Sequence, residues 1–155
     1  MIAAITGQDL PISNHLILQP TLHQQEKDVR ARTLVDSGSP ANFMSRTFAN
    51  QHDVMRRPLE RAIPLRTVNG ASVSSRGIEE RTDEIIMEIE EHSEPISFFI
   101  IEIASFDIIL GKAWLKLHNP DVDWEYDQIH FRGRCRRDHC EPSEPIEVML
   151  LEAGD

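Results

Sequence analysis

The middle of this chain is a succession of short β-type runs, and that pattern most limits what it can become. HLILQPTLHQ (15–24) places Leu16, Leu18 and Leu22 on one side, with Pro20 marking an edge or a bulge. DVRARTLVD (28–36) repeats the alternation through Val29, Ala31, Thr33 and Val35. The polar QQEKD between them reads as the turn of a hairpin that delivers the chain to Asp36. IPLRTVNGASVSSRGI (63–78) carries a second hairpin signal, because Asn69-Gly70 tolerates the positive φ angles of a tight turn. TDEIIMEIEE (82–91) and PISFFIIEI (95–103) follow as strands, the second apolar on both faces and therefore central. DVDWEYDQIHF (121–131) resembles another hairpin, which would place Trp124, Ile129 and Phe131 near the core.

Helical signals are few. SPANFMSRTFANQHD (39–53) could begin a short helix after Ser39-Pro40, since Ser caps well and Pro is accepted at the first helical position. GKAWLKLHN (111–119) reads as a short C-terminal helix bounded by Gly111 and Asn119-Pro120, with Trp114, Leu115 and Leu117 available for burial. The expected class is all-β.

At 155 residues the chain suits one domain, large enough to bury a core without disulfides. Two cysteines give no disulfide framework. No apolar run is long enough to cross a bilayer, and the N-terminal stretch lacks the pattern of a signal peptide. The expectation is a soluble, intracellular and cytoplasmic protein without a membrane partner. The formal charge of −10 is uneven: residues 1–78 balance to +3 and residues 79–155 to −13. That argues against nucleic acid as a partner, because such binders neutralise phosphates with clustered Lys and Arg. The one dense basic patch, RGRCRR (132–137), reads as a solvated loop.

LVDSGSPANFMS (34–45) is the stretch where chemistry concentrates. Asp, Ser and Gly are common turn residues, and alone the triplet reads as a surface turn. An Asp closing an apolar strand, however, is costly to desolvate unless something pairs with it or uses it. Leu34-Val35-Asp36-Ser37-Gly38-Ser39 followed by Phe43-Met44-Ser45 resembles the active-site loop of retropepsin-class aspartic proteases. Further along, FDIILGKAWLKLHNPDVDW carries Ile108-Ile109-Leu110-Gly111 and then Trp114-Leu115, similar to the apolar-apolar-Gly strand and short helix beneath that loop in the family. The string WLKLHNPDVDWEYDQIHF, with Cys135 and His139-Cys140 behind it, looks most like the proteases of Gypsy-type LTR retrotransposons, especially fungal ones.

The resemblance implies a retropepsin-like acid-protease fold, all-β with one short C-terminal helix and closed as a homodimer. Residues 14–140 would form the domain, 1–13 an N-terminal extension, and 141–155 an acidic tail or interface strand containing IEVMLLE. The implied activity is an aspartic endopeptidase that processes a retroelement Gag-Pol polyprotein, with a polypeptide as substrate, in the cytoplasm or within retroelement particles. Asp36 would be catalytic and Ser37, Gly38 and Ser39 would support the loop. Val68, Asn69, Gly70 and Ala71 would form a flap, its glycine 34 residues after Asp36, and Ile109, Leu110 and Gly111 would be the core beneath the loop. Ser37 would bond across the dimer interface, and the Ser39 hydroxyl could donate to the carboxylate and lower its pKa.

The chemistry itself explains the dimer. Peptide hydrolysis by this route needs two carboxylates sharing a proton, one acting as base toward water and the other as acid toward the carbonyl oxygen. One chain supplies one Asp-Ser-Gly, so the second carboxylate must come from a second copy. No metal or organic cofactor is called for. Two rivals stand beside this reading: a catalytically silent retropepsin-fold dimerisation or peptide-binding module, and a small zinc-binding interaction domain built on CRRDHC (135–140). Zinc usually takes two separated ligand pairs, and Cys135, His139 and Cys140, with His130 nearby, form one cluster without a second. His15, His23, His52, His92 and His118 show no partner pattern and read as surface or capping residues.

Overall fold

The structure, a computed structural model, describes residues 15–65 and 77–131. The first four strands are β1 (Leu16–Leu18), β2 (Thr21–His23), β3 (Asp28–Arg30) and β4 (Thr33–Val35). Next come β5 (Phe43–Ser45), helix α1 (Arg46–Gln51), β6 (Arg56–Ile63) and β7 (Ile78–Thr82). They are followed by β8 (Ile85–Ile89), β9 (His92–Ile96), β10 (Phe99–Ile101) and β11 (Ile108–Leu110). Helix α2 (Lys112–His118) and the hairpin of β12 (Asp121–Asp123) and β13 (Gln128–His130) complete the described chain.

Seven strands form one sheet in the order β1-β4-β11-β5-β10-β7-β6, and a four-stranded sheet runs β3-β2-β8-β9. The expected first hairpin is therefore divided between two sheets. Its inner part pairs Leu22 with Val29, and its outer part pairs Ile17 with Leu34. The break falls at Pro20 and Ala31, where the Ala31 N–H donates to the Pro20 carbonyl at 3.0 Å. Proline removes a ladder donor and so suits a corner where a strand leaves one sheet for another.

The same switch divides PISFFIIEI. Ile96 ends β9 in the smaller sheet, whereas Phe99, Ile100 and Ile101 form a wholly buried central strand of the larger one. Side chains of the large sheet alternate between two apolar clusters. Met44, Ile100, Ile108 and Leu110 face one, with the small sheet and both helices, while Leu34, Phe43, Phe99, Ile101 and Ile109 face the other. A sheet covered on both faces has no polar side to show, which is why Ile108-Ile109-Leu110 is apolar throughout.

Of the two expected helices, the first is corrected and the second is found where the sequence placed it. A short helix does follow the Asp36 loop, but it starts at Arg46, because Phe43–Ser45 is drawn into β5 between β11 and β10. Its cap is Ser45, whose Oγ accepts from the Phe48 N–H at 3.2 Å. Among the described residues the C-terminal helix is thus one of two, and it runs from Lys112 to His118, within the expected GKAWLKLHN stretch, ended by Asn119 in the left-handed conformation. In the last hairpin Ile129 is buried and Phe131 packs on the core, but Trp124 is 68% exposed at the turn. Asp123 Oδ1 there accepts from the Glu125 and Tyr126 N–H groups, which turns the chain before Trp124 can reach inward. No described helix is long and apolar enough to cross a membrane.

Segments 1–13 and 141–155, the Val68, Asn69, Gly70 and Ala71 turn, RGRCRR and the Cys135, His139, Cys140 cluster lie outside the described residues. The strands leading to and from that turn are described, and β6 and β7 pair antiparallel from Arg56 with Thr82 to Ile63 with Ile78.

Candidate active site

The site follows from the register of two parallel strands. β4 and β11 lie side by side with Thr33 opposite Ile108 and Val35 opposite Leu110, so Asp36 and Gly111 leave the sheet together. The Asp36 N–H donates to the Leu110 carbonyl at 2.9 Å, and the Ser39 N–H closes a turn onto the Asp36 carbonyl at 3.0 Å. Leu34 and Leu110 are buried on opposite faces of the sheet beneath the loop. Each such side chain contributes about 1.5–3 kcal/mol on burial, so the loop stands on a rigid base.

The two oxygens of Asp36 differ. Oδ1 accepts from the Gly38 N–H at 2.8 Å, and Oδ2 is buried with no hydrogen-bond partner among the described residues. Leaving a buried acceptor unpaired costs on the order of 1–3 kcal/mol, and such groups gather where chemistry is done. Gly38 earns its place sterically, for a Cβ there would stand 3.1 Å from Asp36 Oδ1. Ser37 and Gly38 are exposed at the loop's tip.

Ser39 departs from the expected role. It is buried, and its hydroxyl donates to the Ala41 carbonyl at 2.9 Å, so its one proton is not directed at the Asp36 carboxylate. Ser39 instead builds the loop's return. Its carbonyl accepts from the Lys112 N–H at 2.6 Å, at the start of α2.

Gly111 is the tightest point. A Cβ there would lie 2.2 Å from the Ala41 oxygen and 2.5 Å from the Ser39 oxygen, both backbone atoms. Its N–H donates to the side-chain oxygen of buried Asn42 at 2.9 Å. Asn42 was not legible as a site residue, although an amide between Ala41 and Phe43 in an apolar run is a signal of a polar group held inside. Ile109 and Leu110 are buried as expected, so the sequence's candidate loop and its supporting core are brought together.

The histidines are corrected more sharply. His92 and His118 are buried, and with Trp114 they surround the carboxylate of Glu94, itself 3% exposed. His23 bridges Asp28 at 2.8 Å and Glu88 at 2.6 Å. Only His52 keeps the expected capping position, at the end of α1. Among the described residues, His92, Glu94 and His118 are the group whose donor atoms lie close enough to consider for a metal, within 4.8 Å of one another.

A family model for the PEG10/RTL1 protease domain, retropepsin-like and Ty3/gypsy-derived, matches residues 32–140. That span runs from the start of β4 past the last described strand and contains the whole Asp36 loop. The retroviral protease-like domain of Ddi1 from Leishmania major has a similar structure, with a TM-score of 0.53 at 22% identity, covering 77% of this chain and 90% of that one. At that identity the likeness is one of fold.

Proposed function

The chain belongs to the PEG10/RTL1 protease-domain family, and on that premise we propose that it is an aspartic endopeptidase active as a homodimer. The observation that carries this reading is Asp36, whose carboxylate is fixed by one oxygen to the Gly38 N–H while the other is buried and unpaired. A carboxylate oriented in this way is half of the required apparatus. The second half is Asp36 of a second copy, brought to a twofold axis by the exposed tip at Ser37 and Gly38. The two carboxylates, about 3 Å apart, share one proton and titrate in two coupled steps.

In that dimer one Asp36 accepts a proton from the attacking water while the other donates to the peptide carbonyl oxygen. The tetrahedral intermediate then collapses with proton transfer to the leaving amine. Ser37 ties the two loops together, and the β6–β7 hairpin, through Val68, Asn69, Gly70 and Ala71, covers the substrate backbone. The substrate class is an extended polypeptide, and the Gypsy-type resemblance favours a retroelement Gag-Pol polyprotein.

Incubating purified protein with a mixed peptide library from acidic to neutral pH, beside Asp36→Asn, tests the proposal. Cleavage by wild type alone is the expected result. Equal cleavage by both, or none by a wild type that sedimentation shows to be dimeric, would leave a silent dimerisation or peptide-binding module as the better account.

A further inference from the structure

Glu94 is a carboxylate with almost no contact with solvent, on a strand of the smaller sheet, and among the described residues it has no Lys or Arg partner. Its Oε2 accepts from His92 Nε2 at 2.8 Å and from the Trp114 indole N–H at 3.0 Å. His118 Nε2 lies 3.1 Å from Oε1 and 3.0 Å from Oε2. Burial alone would push this carboxyl's pKa up, but the hydrogen bonds from His118, His92 and Trp114 outweigh it and hold the group below its ordinary range.

The residue types are those of a metal site, but the arrangement is that of an anion cage. An indole N–H cannot ligate a cation, and it donates to the same oxygen that both imidazoles approach. What the cage grips is a helix. Trp114 and His118 stand one turn apart on α2, so a single carboxylate holds that helix at two successive points. Phe131 stacks on His92 at 4.0 Å and meets Trp114 edge-on, closing the apolar side.

The other end of α2 touches the candidate active site. Gly111 and Lys112 donate their N–H groups to Asn42 and Ser39, and the turn from Ser39 returns to Asp36. The backbone at Gly111 runs so close to Ser39 and Ala41 that even a Cβ would have no room, and the two N–H bonds tie it there, so a shift of α2 is passed to the loop.

We infer that Glu94 is a positioning residue for the Asp36 loop: its carboxylate locks α2 against β9, and the helix start sets where Ser39, Gly38 and Asp36 lie. Its effect on catalysis rests on the endopeptidase reading; its effect on loop geometry does not. The role differs from general core stability because it is directional, from Glu94 through Trp114 and His118 to Lys112 and Ser39.

The test is amide and indole NMR on the full chain, comparing wild type, Glu94→Gln, Trp114→Phe and the exposed-strand control Ser93→Ala, with peptide cleavage measured on each. Expected in Glu94→Gln are a displaced Trp114 indole signal and shifted Lys112, Ser39 and Gly38 amides. Trp114→Phe, which removes one donor and part of a buried ring but leaves the carboxylate and both imidazoles, shifts the same three amides less, and Ser93→Ala leaves them in place. In the active protein kcat falls by about tenfold or more while KM holds, as expected of a displaced reacting group. If Glu94→Gln does not fold, the Trp114→Phe amides decide. A changed cage with unmoved Ser39 and Gly38 amides would overturn the inference, as would stoichiometric zinc binding that displaces the His92 and His118 ring signals. If wild type cleaves no peptide, the endopeptidase reading fails while the amide shifts still judge the positioning role.

Discussion

Replacing Gly111 with alanine should be among the most damaging single-methyl changes available to this fold. The new Cβ would stand 2.2 Å from the Ala41 oxygen and 2.5 Å from the Ser39 oxygen, where ordinary contact begins at 3.4 Å. Both obstacles are backbone, so the loop and α2 must separate by about 1 Å, an overpacking strain of about 1–3 kcal/mol. The same movement loosens the bonds from Lys112 to Ser39 and from Gly111 to Asn42, each worth about 1 kcal/mol. The combined loss is about 3–5 kcal/mol, a large share of a typical domain's stability. At about 2–4 °C per kcal/mol for a chain of this size, Tm falls by about 6–20 °C. Denaturant unfolding of Gly111→Ala beside Gly38→Ala makes the comparison specific. At Gly38 the obstacle is one side-chain oxygen at 3.1 Å, which can rotate away, so that variant loses less than about 1 kcal/mol while displacing the carboxylate. A Gly111→Ala protein within about 0.5 kcal/mol of wild type would refute the claim that α2 and the loop are in obligatory contact.

Ser39→Ala should cost about 1 kcal/mol in stability, from the lost donor to Ala41, and should leave the midpoints of the pH-rate profile in place. A shifted profile would show that the hydroxyl reaches the carboxylate after all. His23 supplies a pH dependence of the opposite kind to a carboxylate's. Hydrogen bonds donated to Glu88 and then to Asp28 raise its pKa above the ordinary 6.5, so the folded state holds the proton more tightly. Its contribution is complete below pH 6.5 and disappears as pH rises through the raised value. His23→Gln should therefore lower stability by a few tenths of a kcal/mol at pH 5.5, an exposed pair being worth little, and leave it unchanged at pH 9. Equal losses at both pH values, in urea melts, would contradict this.

The strands and the loop could be read from the sequence because they depend on local alternation and on residues that follow one another. Leu34 to Gly38 and Ile108 to Gly111 each carry their own signal. The division of strands between sheets was not legible, since Leu16, Leu18 and Leu22 keep their alternation across the corner at Pro20 and only pairing partners change. Trp124 misled because an aromatic in a hairpin pattern usually points inward, whereas the Asp123 turn leaves it outside. Ser39 misled for a related reason: the residue type permits donation to Asp36, and the backbone of Ala41 is simply nearer to hand. The Glu94 cage was invisible because, beyond His92 two residues away, its members Trp114 and His118 lie 20 and 24 residues from Glu94 and meet it only when α2 packs beside β9.

The central claim is that two copies of Asp36 make one site, and mixing wild type with Asp36→Asn tests it most directly. With subunits allowed to exchange, cleavage should fall to about half at equal amounts and about one quarter at threefold excess of the variant, because only wild-type pairs carry both carboxylates. Cleavage that stays constant as the variant is added would mean that each chain works alone, and would contradict the account.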